Sequence, residues 1–201
     1  MNFLAHIYLS GEDPQIQLGN FMADAVKGKQ FDSFTPGVTT GILLHRFIDS
    51  YTDAHSIFRQ SRRRLYGKQF GHYSGVIIDM FYDHFLASNW SQFHELSLDT
   101  FAQKFYKNIS QNRAMTPDKT QRMIPYMIDQ NWLIQYQSLE GLNIILSQMN
   151  RRTKGRSNMD QATQALKQDY DLYQAEFFEF FDRLKIEAAK ELRRLTLERK
   201  K

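Results

Sequence analysis

The sequence predicts an all-α fold, a single-domain multi-helix bundle of eight or so helices across residues 1–201. Three observations predict it. Apolar residues recur at spacings of three, four and seven, the period of a helix with one buried face. Capping residues followed by proline mark helix starts along the chain. No stretch alternates polar and apolar residues beside a hairpin turn, so no sheet is expected.

Asp13-Pro14 is the first such start, and Gly28 reads as a stop. Thr35-Pro36 opens a helix that runs through Ile42, Leu43, Phe47 and Ile48. Gly67 and Gly71 bracket a turn, after which Val76 to Trp90 is strongly apolar. Ser97, Thr116-Pro117 and Ser138 are three further caps, and Pro125 should kink or divide the helix begun at Pro117. Residues 153–158 form the clearest loop. From Met159 to about Arg199 the chain reads as one long helix or two in succession. Its inner face would be Ala162, Leu166, Tyr173, Phe177, Phe180, Phe181 and Leu184.

Composition narrows the chemistry. The chain has no cysteine, which excludes disulfides, thiolate metal sites, Fe–S clusters and a cysteine nucleophile. Any metal must be held by imidazole and carboxylate groups. A net charge of +4 permits an acidic partner without requiring one. The apolar start is broken by His6 and has no basic stretch before it, so neither a signal peptide nor a membrane span is expected, and the location expected is cytoplasmic. Phosphate-binding loops, nucleotide fingerprints, His-Glu-x-x-His and Glu-x-x-His motifs are all missing from the sequence.

Three clusters carry candidate chemistry. In the first, His45, Asp49 and Asp53 are spaced four apart, so they share one helix face, each about 40° from the last. The alternative is a solvated acidic face. The second is Asp79, Asp83 and His84, set among Val76, Ile77, Ile78, Met80, Phe81, Phe85 and Leu86. Two carboxylates on so apolar a helix need cations, either arginines from elsewhere or a divalent metal. The third joins His6 with Asn20 and Asp24, the latter two being an oxygen pair one turn apart. Gly19 beside them would admit a close helix or a substrate, and a lone His such as His6 is otherwise a satisfied core residue. A mixed oxygen and imidazole donor set suits Mn, Mg, Fe or Zn, with Mn or Mg favoured as carboxylates accumulate.

Met1-Asn2-Phe3-Leu4-Ala5-His6, Gly19-Asn20-x-x-Ala23-Asp24, His45-Arg46-x-Ile48-Asp49-x-x-Thr52-Asp53 and Asp79-x-x-x-Asp83-His84-Phe85-Leu86 together resemble the acyl carrier protein phosphodiesterases. They occur in order across the first ninety or so residues. That family is similar to a divergent branch of the His-Asp phosphohydrolases, whose usual doublet is His then Asp, whereas here Asp83 precedes His84. The resemblance implies an enzyme that removes 4′-phosphopantetheine from a serine of holo-acyl carrier protein with Mn²⁺ or Mg²⁺. It implies metal ligands among His6, Asp24, His45, Asp49, Asp79 and Asp83, and catalytic roles for Asp49, Asp83, His84 and Arg46. Arg46 would neutralise a non-bridging phosphate oxygen. Acyl carrier proteins are acidic, so Lys27, Arg62, Arg63 and Arg64 are candidates for the approach surface. Two alternatives remain in view: a small-diester or nucleotide phosphohydrolase of the same fold, and, ranked below it, nucleic-acid binding through Arg62–Arg64 and the tail from Arg193 to Lys201.

Overall fold

The computed structural model describes residues 1–198, and among these there is no strand. Eleven α-helices follow in order: α1 Phe3–Leu9, α2 Pro14–Met22, α3 Pro36–Ala54, α4 Ser56–Leu65, α5 Ser74–Ser88, α6 Leu98–Gln111, α7 Asp118–Asp129, α8 Trp132–Gln135, α9 Leu139–Arg152, α10 Ala162–Gln168 and α11 Tyr170–Glu198. The surplus over eight comes from short pieces such as α8, which carry too few residues to show a periodic face. The caps fall where expected at Asp13, Ser97 and Ser138, whose side chains accept backbone N–H groups of the first turn. Gly28 is not a helix stop: α2 has already ended at Met22, and Gly28 lies in the loop beyond it.

α5 explains the architecture. It is apolar nearly all round, and Ile77, Ile78, Phe81, Phe85, Leu86 and Ala87 are fully buried. Helix α11 crosses it with Tyr173, Phe177, Phe180 and Phe181, all buried, and Tyr82 packs edge-on against Phe177 at 5.6 Å. The expected inner face of the C-terminal segment is thus the observed one, divided into α10 and α11 at Asp169. Residues 199–201, with which the expected basic tail ends, lie outside the described residues.

Pro125 does not divide its helix: α7 runs unbroken from Asp118 to Asp129. Proline removes the N–H that would have bonded the carbonyl four residues earlier, that of Gln121. Arg113 Nε donates to this carbonyl at 2.9 Å instead, and Pro125 faces solvent. Arg113→Ala should therefore cost about 1 kcal/mol in urea unfolding, the worth of one ordinary hydrogen bond.

Helices α2 and α3 pack backbone to backbone. A Cβ added at Gly19 would lie 1.9 Å from the Val38 carbonyl oxygen, and one at Gly41 would lie 2.1 Å from that of Ile16. The closely approaching partner expected at Gly19 is therefore α3, and the crossing brings Asn20 beside His45.

Candidate active site

The second cluster, expected to hold a metal, has other partners. Asp83 is fully buried, and its carboxylate receives the first free N–H groups of α1: Oδ1 accepts from Asn2 at 3.2 Å and Ala5 at 3.3 Å, and Oδ2 from Leu4 at 2.8 Å. Burial pushes its pKa up to about 7 despite these donors. Asp79 Oδ1 lies 2.7 Å from the amino group of Met1, and burial likewise raises its pKa. His84 points elsewhere. Its Nδ1–H donates to the Tyr136 carbonyl at 2.8 Å, which leaves Nε2 to accept from the Tyr170 hydroxyl at 3.0 Å. The start of α1 answers the charge that sequence alone assigned to an ion or to arginines. Asp83 and His84 are satisfied within the protein, and Asp79 alone of the three lines the cleft described next.

The first and third clusters merge. His6 from α1 and His45 from α3 stack their rings at 4.1 Å and 21°. Asn20 from α2 lies between the two Nδ1 atoms, with its Oδ1 2.8 Å from that of His6 and 3.0 Å from that of His45. The amide orientation is set by its other end, because Asn20 Nδ2 donates to the His6 carbonyl at 3.0 Å and to Ser10 Oγ at 2.8 Å. Oδ1 must then be the acceptor, so both imidazoles carry their proton on Nδ1. Both Nε2 atoms turn to Asp49, at 3.2 Å from His6 and 3.0 Å from His45, and Asp24 is a further 3.2 Å from His45 Nε2.

This geometry concentrates electron pairs. With both rings neutral, two imidazole lone pairs face the Asp49 carboxylate, an arrangement that needs a cation among them. In the metal-free protein a proton supplies it. Burial works against charge on His45, but Asp24 and Asp49 outweigh it and hold the pKa near 9. Burial, then the charge on His45, pushes His6 down to about 4. Asp49 lies well below the usual carboxylate range, held there against its burial by the two imidazoles. His6 Nε2 is buried and, although 3.2 Å from Asp49 Oδ1, makes no well-aligned hydrogen bond. Donor atoms of His6, His45 and Asp49 lie within 4.8 Å of one another, a grouping that fits a divalent ion.

The cluster opens into a cleft of about 290 Å³, whose walls include Asp24, Asp53, Asp79 and Thr52. Thr52 is buried and its hydroxyl has no partner. Sequence reasoning missed Thr52 as a site residue and took Asn20 only as an oxygen donor beside Asp24. No spacing rule links Asn20 to rings on two other helices. Replacing Asn20 with Leu removes the acceptor that fixes both tautomers. Such a change should weaken metal binding about 10- to 100-fold in calorimetric titration, the usual effect of losing a group that orients ligands.

The basic candidates separate. Arg46 donates to the Val26 carbonyl at 3.0 Å and lies over the Phe31 ring at 5.0 Å, so it pins the loop that carries Asp24 and Lys27 instead of facing the cleft. Arg64 is engaged by Glu176 through two hydrogen bonds of 2.8 and 2.6 Å, tying α4 to α11. Arg62, Arg63 and Lys27 are exposed. In the described tail, Arg194 is paired with Glu191 and Glu198 of its own helix. Among the described residues no helix is long and apolar enough to cross a membrane.

Known proteins match the chain along most of its length. A family model described as acyl carrier protein phosphodiesterase matches residues 1–184. A protein of Photorhabdus laumondii named acyl carrier protein phosphodiesterase is 33% identical over 182 residues, covering 90% of this chain and 91% of its own. One of the same name from Pectobacterium atrosepticum is 31% identical over 185 residues, covering 92% and 95%. Another, from Escherichia coli, is 32% identical over 202 residues, covering 94% and 98%. No solved structure matches.

Proposed function

The chain belongs to the acyl carrier protein phosphodiesterase family, and from that premise we propose that it hydrolyses the phosphodiester joining 4′-phosphopantetheine to a serine of holo-acyl carrier protein. The products are apo-acyl carrier protein and phosphopantetheine. We place the reaction in the cleft over His6, His45 and Asp49, with Mn²⁺ or Mg²⁺ as cofactor. One observation carries this placement: a single asparagine fixes both imidazoles as Nδ1–H tautomers, so that both Nε2 atoms face one carboxylate.

His6, His45 and Asp49 would hold the ion, with Asp24 beside them as a further oxygen donor. A bound dication would screen the diester's negative charge and lower the pKa of an attacking water. The chain's own groups do the rest. Asp24, open to solvent on one side, accepts the proton that water gives up as its oxygen bonds to phosphorus. Thr52 Oγ1 donates to a non-bridging oxygen. As the bond from phosphorus to the serine oxygen breaks, that oxygen takes a proton from solvent water and leaves as the serine hydroxyl, and Asp24 returns its own proton to solvent. Exposed Lys27, Arg62 and Arg63 supply positive charge toward the acidic carrier protein. The test is incubation with holo-acyl carrier protein and Mn²⁺, read by mass spectrometry. Loss of the phosphopantetheine mass is expected, and an unchanged mass at high enzyme concentration would favour a small-diester substrate.

Metal uptake should depend on pH in a defined direction. His45, with a pKa near 9, must shed its Nε2 proton to become a ligand. Apparent affinity should rise about tenfold per pH unit between roughly pH 7 and 8.5 and level off near 9. Calorimetry in buffers of different ionisation enthalpy should show close to one proton released per ion at neutral pH. In the metal-free protein the sign reverses: a raised pKa means that His45 stabilises the fold fully below about 6.5 and loses that contribution as pH rises through 9.

A further inference from the structure

The ion-binding cleft does not end at the cluster. A second cavity of about 260 Å³ adjoins it, and the two share Asn2, Phe3, Asp24 and Val76 as a common wall. The chemistry changes at that wall. On the near side the lining is His and Asp. On the far side Met80, Trp132, Tyr136 and Ile145 form a buried floor, and half-buried Met123 and Met149 form the sides. Apart from Asp24 at the junction, the charged groups at this second cavity are the exposed cations Lys119 and Arg152, the latter set over the Trp132 ring at 5.8 Å.

We propose that this methionine-lined slot holds the pantetheine arm of the substrate while its phosphate lies at the His6–His45–Asp49 cluster. This inference rests on the proposed function above and adds the direction in which the substrate lies. Continuity is the first argument, because a diester bound at the cluster has two substituents and one exit from the cleft is the slot. Chemistry is the second. The arm is uncharged, with a gem-dimethyl group, two amides and a thiol, and so suits an apolar trough that contains the amide of Gln148. Three thioether side chains give such a trough walls that re-form around a flexible chain. Size is the third: each cavity alone is small for a cofactor-sized ligand, and joined they reach the usual range of about 300–1,000 Å³. With the arm in the slot, the protein part of the substrate would lie toward Thr52, Asp53 and the exposed Arg59, Arg62 and Arg63.

The eight methionines make the slot directly observable. In protein labelled with ¹³C at the methionine methyls and loaded with Mg²⁺, titration with 4′-phosphopantetheine should shift the Met80, Met123 and Met149 signals. Met115, exposed and lining neither cavity, should stay in place. Met149→Trp, which fills the slot from its side, should raise KM for holo-acyl carrier protein at least tenfold while Mg²⁺ affinity remains that of the unaltered protein. If that variant does not fold, Met123→Ala, which widens the slot, should still raise KM several-fold. Turnover of holo-acyl carrier protein by the unaltered enzyme, without these methyl shifts or KM changes, would overturn the slot assignment and leave the proposed function standing. No turnover by the unaltered enzyme would overturn the proposed function itself.

Discussion

Gly41→Ala should destabilise the protein by about 3 kcal/mol or more in urea unfolding, or prevent folded protein from accumulating. The added methyl carbon would lie 2.1 Å from the Ile16 carbonyl oxygen and 2.6 Å from the Asn20 amide nitrogen, and both are backbone atoms with no side-chain freedom to retreat. Relief requires α2 and α3 to separate, and overpacking of a well-filled contact costs about 1–3 kcal/mol and occasionally more. The damage should extend to the site, because the same separation moves Asn20 from His45, now 3.0 Å apart. Any folded fraction should therefore bind Mn²⁺ poorly. Gly75→Ala is the control: its nearest neighbour would be Arg62 Nε at 3.8 Å, an ordinary contact, and stability should change by less than about 1 kcal/mol.

Asp83→Ala is the second large effect, and it separates two roles that the sequence merged. A metal ligand could be removed with the fold intact. Asp83, however, accepts three N–H groups at the start of α1, and its loss leaves those of Leu4 and Ala5 buried without this partner and that of half-buried Asn2 without it too. A loss of about 3 kcal/mol is expected, since each unsatisfied buried group costs about 1–3 kcal/mol and part is recovered by relaxation. Thermal unfolding at fixed pH would read it. Asp49→Ala should abolish Mn²⁺ uptake; because it also removes a partner of the protonated His45, its melting temperature should fall, but by less than that of Asp83→Ala. If Asp83→Ala melts like the unaltered protein but no longer takes up Mn²⁺, the roles of Asp83 and Asp49 would have to be exchanged.

These two residues also show what the sequence can carry. Spacing of four on one helix places His45 and Asp49 together whatever surrounds them, and the structure keeps that pair. The same rule places Asp79 and Asp83 together, but it says nothing about the cation opposite. That partner, the first turn of α1, lies 79 residues away from Asp83 at Leu4. Helical periodicity gave α11 its aromatic face because packing follows local pattern. Of the two outcomes expected of the proline at Pro125, division does not occur, because a side chain from outside the helix takes up the free carbonyl. His6 was ambiguous for the same reason: its orientation depends on an amide from another helix.

The seven residues of α1 are too few to be helical unaided. Their helix is seated at one end by a buried carboxylate on α5 and along its length by the ring of His6. An ion held by that ring, as proposed above, would tighten the same segment that presents it. Amide exchange at Leu4 and Ala5 should slow when manganese is added and quicken under a chelator, so this short helix would report on the occupancy of the centre it completes.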